Sequence, residues 1–370
     1  MIRILHSVSN MDRGGVETML MNYYRRIDRN EIQFDFLCNK AKPGAYDAEI
    51  EAMGGRIYRT PGLNPLKYGQ YLKYMAQLFE AHPEYQIVEA HNGPFGVYAL
   101  YAAKRNRIPN RIFHAHGAGV VKDKKLPLKL FCKRQIPKCA NSFFACGTEA
   151  AKYYYGDACV AAGKVKIIPN AIDLKRFGFN AETRNKIRDQ YGLTDAHIIG
   201  HVGRFSPQKN HAFLVKVFEE VAKRDEKAYL VLLGEGDLYQ NVEAQIARIG
   251  LQDRVLMPGN VGNVFEWYQA FDCFVLPSVF EGLPVVGIEA QAADLPCLFS
   301  DRVTREIDLL ESNRFLPIDA VDKWVEEILQ SFAVRERKDN IEVIGKHHFD
   351  IDTESGNLVT EYKRLSEEQG

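Results

Sequence analysis

The chain has 370 residues, 46% hydrophobic and 11% aromatic, enough for two domains that each bury a core. Its 48 basic and 48 acidic residues cancel to a formal net charge of zero, so bulk charge gives no case for nucleic-acid binding. The seven cysteines are odd in number, scattered and without a C-x-x-C pair. They read as reduced cytosolic thiols, mostly small buried hydrophobes, rather than as a disulfide framework.

Short apolar runs alternate with longer helical patterns along the chain. Residues 2–6 read as a strand, 16–27 as a helix, and 34–38 and 56–59 as short strands. A helical pattern spans 66–80, where Tyr68, Tyr71, Leu72 and Met75 recur every third or fourth residue. Strands at 87–90, 111–115, 142–146 and 165–168 then alternate with helices at 95–104 and 126–139. Such alternation implies βαβ units and a parallel sheet. From 169 to 194 the chain is polar and aperiodic, and the linker is placed there. A second series follows, with strands at 197–202, 229–232, 255–257, 273–276 and 297–299 and helices at 214–224, 242–249 and 284–293. A last helix spans 352–368. The expected domains are 1–172 and 173–350, with 351–370 returning to brace the first.

The opening residues are interrupted too soon, by Asn10 and Asp12, for a secretory leader, and no run of about 18 apolar residues is present. The expected location is the cytoplasm, with surface attachment to the inner face of the cell membrane left open. Between positions 122 and 138 stand Lys122, Lys124, Lys125, Lys129, Lys133, Arg134 and Lys138 against the single acid Asp123. Leucines and a phenylalanine interleave, which suits either a helix lying on anionic lipid or an ordinary solvated face.

Open parallel sheets bind ligands beyond the carboxyl ends of their strands, so chemistry is sought after each strand. After the first, Gly14 and Gly15 precede a helix whose N-terminal N–H groups favour an anion. The spacing is not G-x-G-x-x-G, which weakens a dinucleotide reading. A plain glycine turn with Glu17 at the positive helix end competes with it. His91, His114 and His116 end two further strands. No cysteine or carboxylate of metal spacing accompanies the last two, so no metal is expected. His114 reads as structural and His116, before Gly117, as the residue suited to a polar role.

In the second series, Arg204 and Lys209 follow a strand, and two cations near a helix N-terminus suit a diphosphate. Further on, Glu281-Gly282-Leu283 and Glu289 flank an apolar stretch. Gly282 and Leu283 are expected to open a helix with free N–H groups, and Glu289 to lie about two turns into it. Carboxylates there bind sugar hydroxyls.

These residues resemble a known family, the retaining glycosyltransferases of family four with the GT-B fold. The carrying motifs are Gly14-Gly15-Val-Glu17, His116-Gly117, Ile168-Pro-Asn-Ala-Ile-Asp173, Gly203-Arg204 with Lys209, and Glu281-x7-Glu289. The residues from Ser300 to Glu306 and from Arg314 to Leu316 are similar to the branch that builds bacterial capsule and exopolysaccharide units. The resemblance implies an α/β architecture of two doubly wound Rossmann-like domains facing a central cleft, the first on the acceptor side and the second binding a nucleotide sugar. It implies that Arg204 and Lys209 neutralise the donor diphosphate without a metal or other cofactor. Glu289 would hold the ribose, Glu281 the transferred sugar with the Gly282–Leu283 backbone beneath it, and His116 the sugar near its reacting carbon. Gly14 and Gly15 would line the phosphate or acceptor side, and Asn170 would lie at the domain junction. A uridine diphosphate sugar and a lipid-linked glycan acceptor are the implied substrates. Two departures stand out: no glutamate precedes Lys209, and Ala171 replaces the usual glycine after Asn170. A nucleotide-sugar epimerase of the same architecture and a non-catalytic sugar-nucleotide sensor are the rival readings. The first would need acid/base carboxylates in both domains, and the second has no need of Glu281 and His116.

Overall fold

The computed structural model describes residues 1–63, 68–119, 123–333 and 336–368. Leu66 and Lys122, which begin the 66–80 helical pattern and the basic run, lie outside the described residues. The chain forms two compact units: Met1–Ile172 together with the residues from Asp350 onward, and Asp173–Phe349.

The first unit holds β1 (Ile2–Val8), β2 (Ile32–Cys38), β3 (Ile57–Arg59), β4 (Tyr85–Ala90), β5 (Asn110–Ala115), β6 (Ser142–Ala145) and β7 (Val165–Ile167). All pair in parallel, in the order β3-β2-β1-β4-β5-β6-β7. Strands enclosed on both faces must be apolar almost throughout, and β2, Ile-Gln-Phe-Asp-Phe-Leu-Cys, is buried at every position. Its one acid is matched. Asp35 accepts from Arg3 Nε and Nη2 at 2.8 and 2.7 Å, from the Arg56 backbone N–H at 2.7 Å and from the Tyr85 hydroxyl at 2.5 Å. The carboxylate in turn raises the Arg3 guanidinium above its ordinary value.

The helix Ile351–Glu367 completes this unit. Ile351, Leu358, Tyr362 and Leu365 join the same apolar cluster as Ile4, Phe34, Phe36, Ile112 and Phe144. The Ile351 N–H donates to the Ile172 carbonyl at 3.0 Å, and Asn110 Nδ2 donates to the Leu365 carbonyl at 2.9 Å.

The second unit holds β8 (His197–Val202), β9 (Ala228–Leu233), β10 (Val255–Gly259), β11 (Cys273–Leu276), β12 (Cys297–Ser300) and β13 (Arg314–Leu316), all parallel in the order β10-β9-β8-β11-β12-β13. Relabelled from one, that order is 3-2-1-4-5-6, the doubly wound arrangement whose ligands sit beyond the strand ends where the winding reverses. In this unit the reversal lies between β8 and β11, and in the first between β1 and β4. Trp324, Phe218, Leu230 and Val275 anchor the second core.

The 169–194 segment is not a bare linker. It forms the helices Leu174–Phe177 and Ala181–Gln190. The second is held by ion pairs rather than by an apolar stripe: Arg184 and Arg188 each reach Asp272 at 2.5 Å, and Arg188 Nε donates to the Ala270 carbonyl at 2.9 Å. Hydrophobic periodicity has no means of finding such a helix. The seven cysteines are all free, and six are buried. No helix among the described residues is long and apolar enough to cross a membrane.

Candidate active site

In the second unit, the residues singled out by sequence gather at the ends of β8 and β11. Gly203 to Asn210 form the loop between β8 and the helix His211–Arg224. Asn210 enters that helix at a left-handed φ of 57° and leaves its first turn without a side-chain cap. Arg204 is exposed. The aliphatic stem of Lys209 crosses Gly203, where an added Cβ would stand 3.0 Å from Lys209 Cε. Two more glycines permit this packing. Gly234 and Gly236 have φ of +136° and +155°, and a Cβ on either would fall within 2.4 Å of the backbone of Gly203 or Phe205.

Lys209 Nζ lies 2.7 Å from Glu281 Oε1. The same oxygen accepts from Ser278 Oγ at 2.8 Å, and Oε2 accepts from Gln208 Nε2 at 3.0 Å. Glu281 is therefore fixed by three donors before any ligand arrives. The helix that follows begins at Val285, with Pro284 as its N-cap, so Gly282 and Leu283 precede it rather than open it. The proline ring disfavours helical geometry at the preceding Leu283. Glu289 is then the fifth helical residue, a little over one turn in.

Glu289 is buried and accepts from the Tyr268 hydroxyl at 2.8 Å. Burial lifts its carboxyl to about 7, against the Tyr268 hydrogen bond and the positive charges of Arg176 and Lys209. Lys209 thus acts on both glutamates. Tyr268→Phe should raise the midpoint of Glu289 further, by on the order of tenfold in its ionisation constant, because the ionised form loses a donor. Carboxyl-carbon NMR across pH reads this directly, and an unmoved midpoint would show that the hydrogen bond carries no weight.

In the first unit, Gly14 is the N-cap and Gly15 the first residue of the helix Gly15–Arg26. An added Cβ on Gly14 would meet Glu17 Oε2 at 2.4 Å, whereas one on Gly15 would meet nothing within 4 Å. The Glu17 carboxylate therefore folds over the helix end that the sequence offers to an anion. Asn170 is buried within Pro169–Ala171, three residues before Asp173. That stretch is pinned by Tyr23, whose hydroxyl donates to the Pro169 carbonyl at 2.8 Å, and by Asn22 Nδ2 on the Ala171 carbonyl at 3.1 Å.

The histidines form a connected group that spacing did not reveal. His116 Nε2 lies 2.8 Å from His91 Nδ1, and His91 Nε2 lies 3.0 Å from His6 Nδ1. His114 Nδ1 lies 2.8 Å from Glu89 Oε1, and Tyr362 donates to Glu89 Oε2 at 2.6 Å. A carboxylate does accompany His114, contrary to the sequence reading: Glu89, 25 residues earlier, arrives from the neighbouring strand β4. Burial lowers His6 to about 4, His114 to about 3, and His91 and His116 well below the ordinary histidine value. All four imidazoles are neutral near pH 7, and burial raises the Glu89 carboxyl.

Sequence reasoning missed Tyr268, Gln208, Ser278 and Arg176. Tyr268, Gln208 and Arg176 act from distant positions, brought to a glutamate only by the fold, whereas Ser278 stands three residues before Glu281 and bonds it through the local turn. His6 carried a signal, a lone polar ring at the end of an apolar strand, that was passed over.

A family model described as "Glycosyltransferase Family 4" matches residues 13–176, and one described as "Glycosyl transferases group 1" matches 196–333. The chain is 34% identical to the glycosyltransferase EpsF of Bacillus subtilis over 377 aligned residues, covering 99% of this chain and 97% of EpsF. It is 26% identical to the UDP-Gal:alpha-D-GlcNAc-diphosphoundecaprenol alpha-1,3-galactosyltransferase of Escherichia coli, over 81% of this chain and 79% of that one. Among solved structures, HepE of Anabaena with bound UDP and glucose superposes with a TM-score of 0.78 at 16% identity, covering 98% of this chain and 100% of HepE. That likeness shows the fold, the GT-B architecture of two Rossmann-like units. With family models along both units and a full-length relative above 30% identity, the chain belongs to the family 4 glycosyltransferases.

Proposed function

We propose that this glycosyltransferase is metal-independent and retaining, and that it moves a sugar from a uridine diphosphate sugar to a lipid-linked glycan acceptor in cell-surface polysaccharide synthesis. The observation that carries the reading is the Lys209–Glu281 pair beside the buried Glu289 at the strand ends where the second sheet reverses. The E. coli relative, whose name specifies a UDP-linked sugar and a diphosphoundecaprenol-linked acceptor, supports the substrate classes.

In this reading the donor's C1–O bond to the diphosphate breaks and the acceptor oxygen bonds to C1 with the configuration kept, the acceptor hydroxyl's proton passing to the departing diphosphate. The electron pair leaves with the nucleoside diphosphate, and the transition state resembles an oxocarbenium ion. Arg204 and Lys209 take up the developing negative charge, the work a metal ion does elsewhere. Glu281, freed in part from Lys209, accepts from hydroxyls of the transferred sugar, with the Gly282–Leu283 backbone beneath. Glu289 holds the ribose hydroxyls, a task for its ionised form. His116 contacts the sugar near C1, Gly15 and Gly14 border the phosphates or acceptor, and Asn170 marks the junction. Residues 1–172 are the acceptor side and 173–350 the donor side.

The test is a thermal-shift series with nucleoside diphosphates, with and without EDTA. A ligand at 100 times its Kd adds about 2.7 kcal/mol of stability. Stabilisation by UDP that EDTA leaves unchanged is the expected result. No shift with any nucleotide would remove the donor site, and a shift abolished by EDTA would remove metal independence.

An anionic membrane surface, on the cytoplasmic side, is the second partner in this reading. The helix Leu126–Cys139 exposes Leu130 and Phe131, at 43% and 60%, beside Arg134 and Lys138. Each surface cation contributes about 1 kcal/mol toward anionic lipid. The protein should sediment with anionic liposomes at low salt and be released as salt rises. Failure to sediment at low salt would end the membrane reading and leave the transferase reading intact.

A further inference from the structure

We propose that His91, His114 and His116 form a binding site for one divalent transition-metal ion of the zinc class. The topology builds it. Adjacent parallel strands β4 and β5 pair Ala90 with Phe113, which sets His91 beside His114, and His116 follows two residues on, on the same face. The ring centroids lie 5.2 Å (His91–His114), 5.1 Å (His91–His116) and 4.1 Å (His114–His116) apart. One nitrogen from each ring lies within 4.8 Å of the other two.

The hydrogen-bond partners decide which nitrogens have lone pairs to give. His114 Nδ1 is committed to Glu89 Oε1, so its proton sits there and Nε2 is the donor atom. That Nε2 is buried with no hydrogen bond. His91 Nδ1 and His116 Nε2 face each other at 2.8 Å and share one hydrogen in the metal-free protein. An ion between them takes both lone pairs. The protons then reside on His91 Nε2 and on His116 Nδ1, so no proton need be released. His6 Nδ1 lies 3.0 Å from His91 Nε2, ready to accept that hydrogen.

Two of the three ligands therefore have an acceptor behind them, and Tyr362 fixes Glu89 in turn. A ligating histidine backed by a carboxylate is the arrangement that orients imidazoles on zinc. Burial keeps the three rings neutral, the form that ligates. Three imidazoles without a thiolate suit Zn2+, Co2+ or Ni2+. His116 is only half-buried, which leaves an approach and an open coordination position on its side.

A deeper trio, His6, Glu89 and His91, also brings ligand atoms within 4.8 Å. It is enclosed on every side and would spend Glu89 as a ligand, so the outer trio is favoured. Coordination occupies His116. A bound ion would thus block sugar transfer, a consequence that rests on the donor reading above, whereas the binding itself does not.

Binding is read without turnover. The full chain, stripped with a chelator, is titrated with Co2+ and followed by visible absorbance. One equivalent should produce ligand-field bands of a four- or five-coordinate nitrogen site, and Zn2+ should bleach them. His116→Gln, which removes a ligand, should weaken binding by at least about 100-fold, and Tyr362→Phe, which loosens Glu89 behind His114, by less, about tenfold. His347→Gln, at an exposed histidine outside the cluster, should change nothing. Circular dichroism checks that each variant is folded. Absence of bands in the wild type, or wild-type affinity in both His116→Gln and Tyr362→Phe, overturns the proposal. In a transfer assay, inhibition by Zn2+ that a chelator reverses would extend it to the donor site.

Discussion

Lys209→Ala should lower kcat/KM for the sugar donor by about 10²- to 10³-fold, the usual loss when one pre-placed donor to a developing anion is removed. Two effects combine. The leaving diphosphate loses a cation, and Glu281 loses the ammonium 2.7 Å from Oε1, keeping only Ser278 and Gln208. Because the charge develops in the transition state, kcat should fall with kcat/KM, and KM should change little. Lys209→Met retains the stem that crosses Gly203 and should be as slow as alanine, which separates charge from packing. Arg204→Ala should cost on the order of 10²-fold by the same argument. Steady-state kinetics decides, and a Lys209→Met enzyme with wild-type kcat would remove the leaving-group role.

Asp35→Ala should destabilise the first unit by about 3–5 kcal/mol, the cost of leaving one partner of a buried ion pair unmatched. Arg3 is 9% exposed and Asp35 fully enclosed, so water cannot replace the carboxylate. The Tyr85 hydroxyl and the Arg56 N–H lose their acceptor as well. Asp35→Asn keeps the volume and should still be strongly destabilising, since the guanidinium keeps its charge. Denaturant titration followed by a probe in the first unit measures the loss. A change below about 1 kcal/mol would mean that the Gly54 carbonyl, 3.3 Å from Arg3 Nη2, suffices as a partner.

The alternation of strands and helices was legible because doubly enclosed strands such as β9 and β11 are nearly unbroken apolar runs, which periodicity detects. The helix Ala181–Gln190 was not, since Arg184 and Arg188 on Asp272 hold it in place of an apolar stripe. The span of the helix that carries Glu289 was legible to within a residue, but Gly282 and Leu283 lie before its Pro284 cap rather than in its first turn. At the candidate site, the chemical residues could be read because cations and glutamates after strands are conspicuous. Their supports could not. Tyr268 and Gln208 are ordinary residues whose importance comes from where the fold delivers them, and Glu89 reaches His114 through strand pairing alone.

The path of the chain bears on how the protein is made. The first unit is left at Ile172 and entered again at Asp350. On a ribosome adding roughly 5–20 residues per second, the second unit emerges whole while the first still lacks Leu358, Tyr362 and Leu365. For on the order of 10–40 s the early-made sheet must wait with part of its core uncovered and Glu89 without its tyrosine. The unit synthesised first is thus the one that finishes last, and translation speed through 173–350 sets how long a nascent chain must be shielded from aggregation.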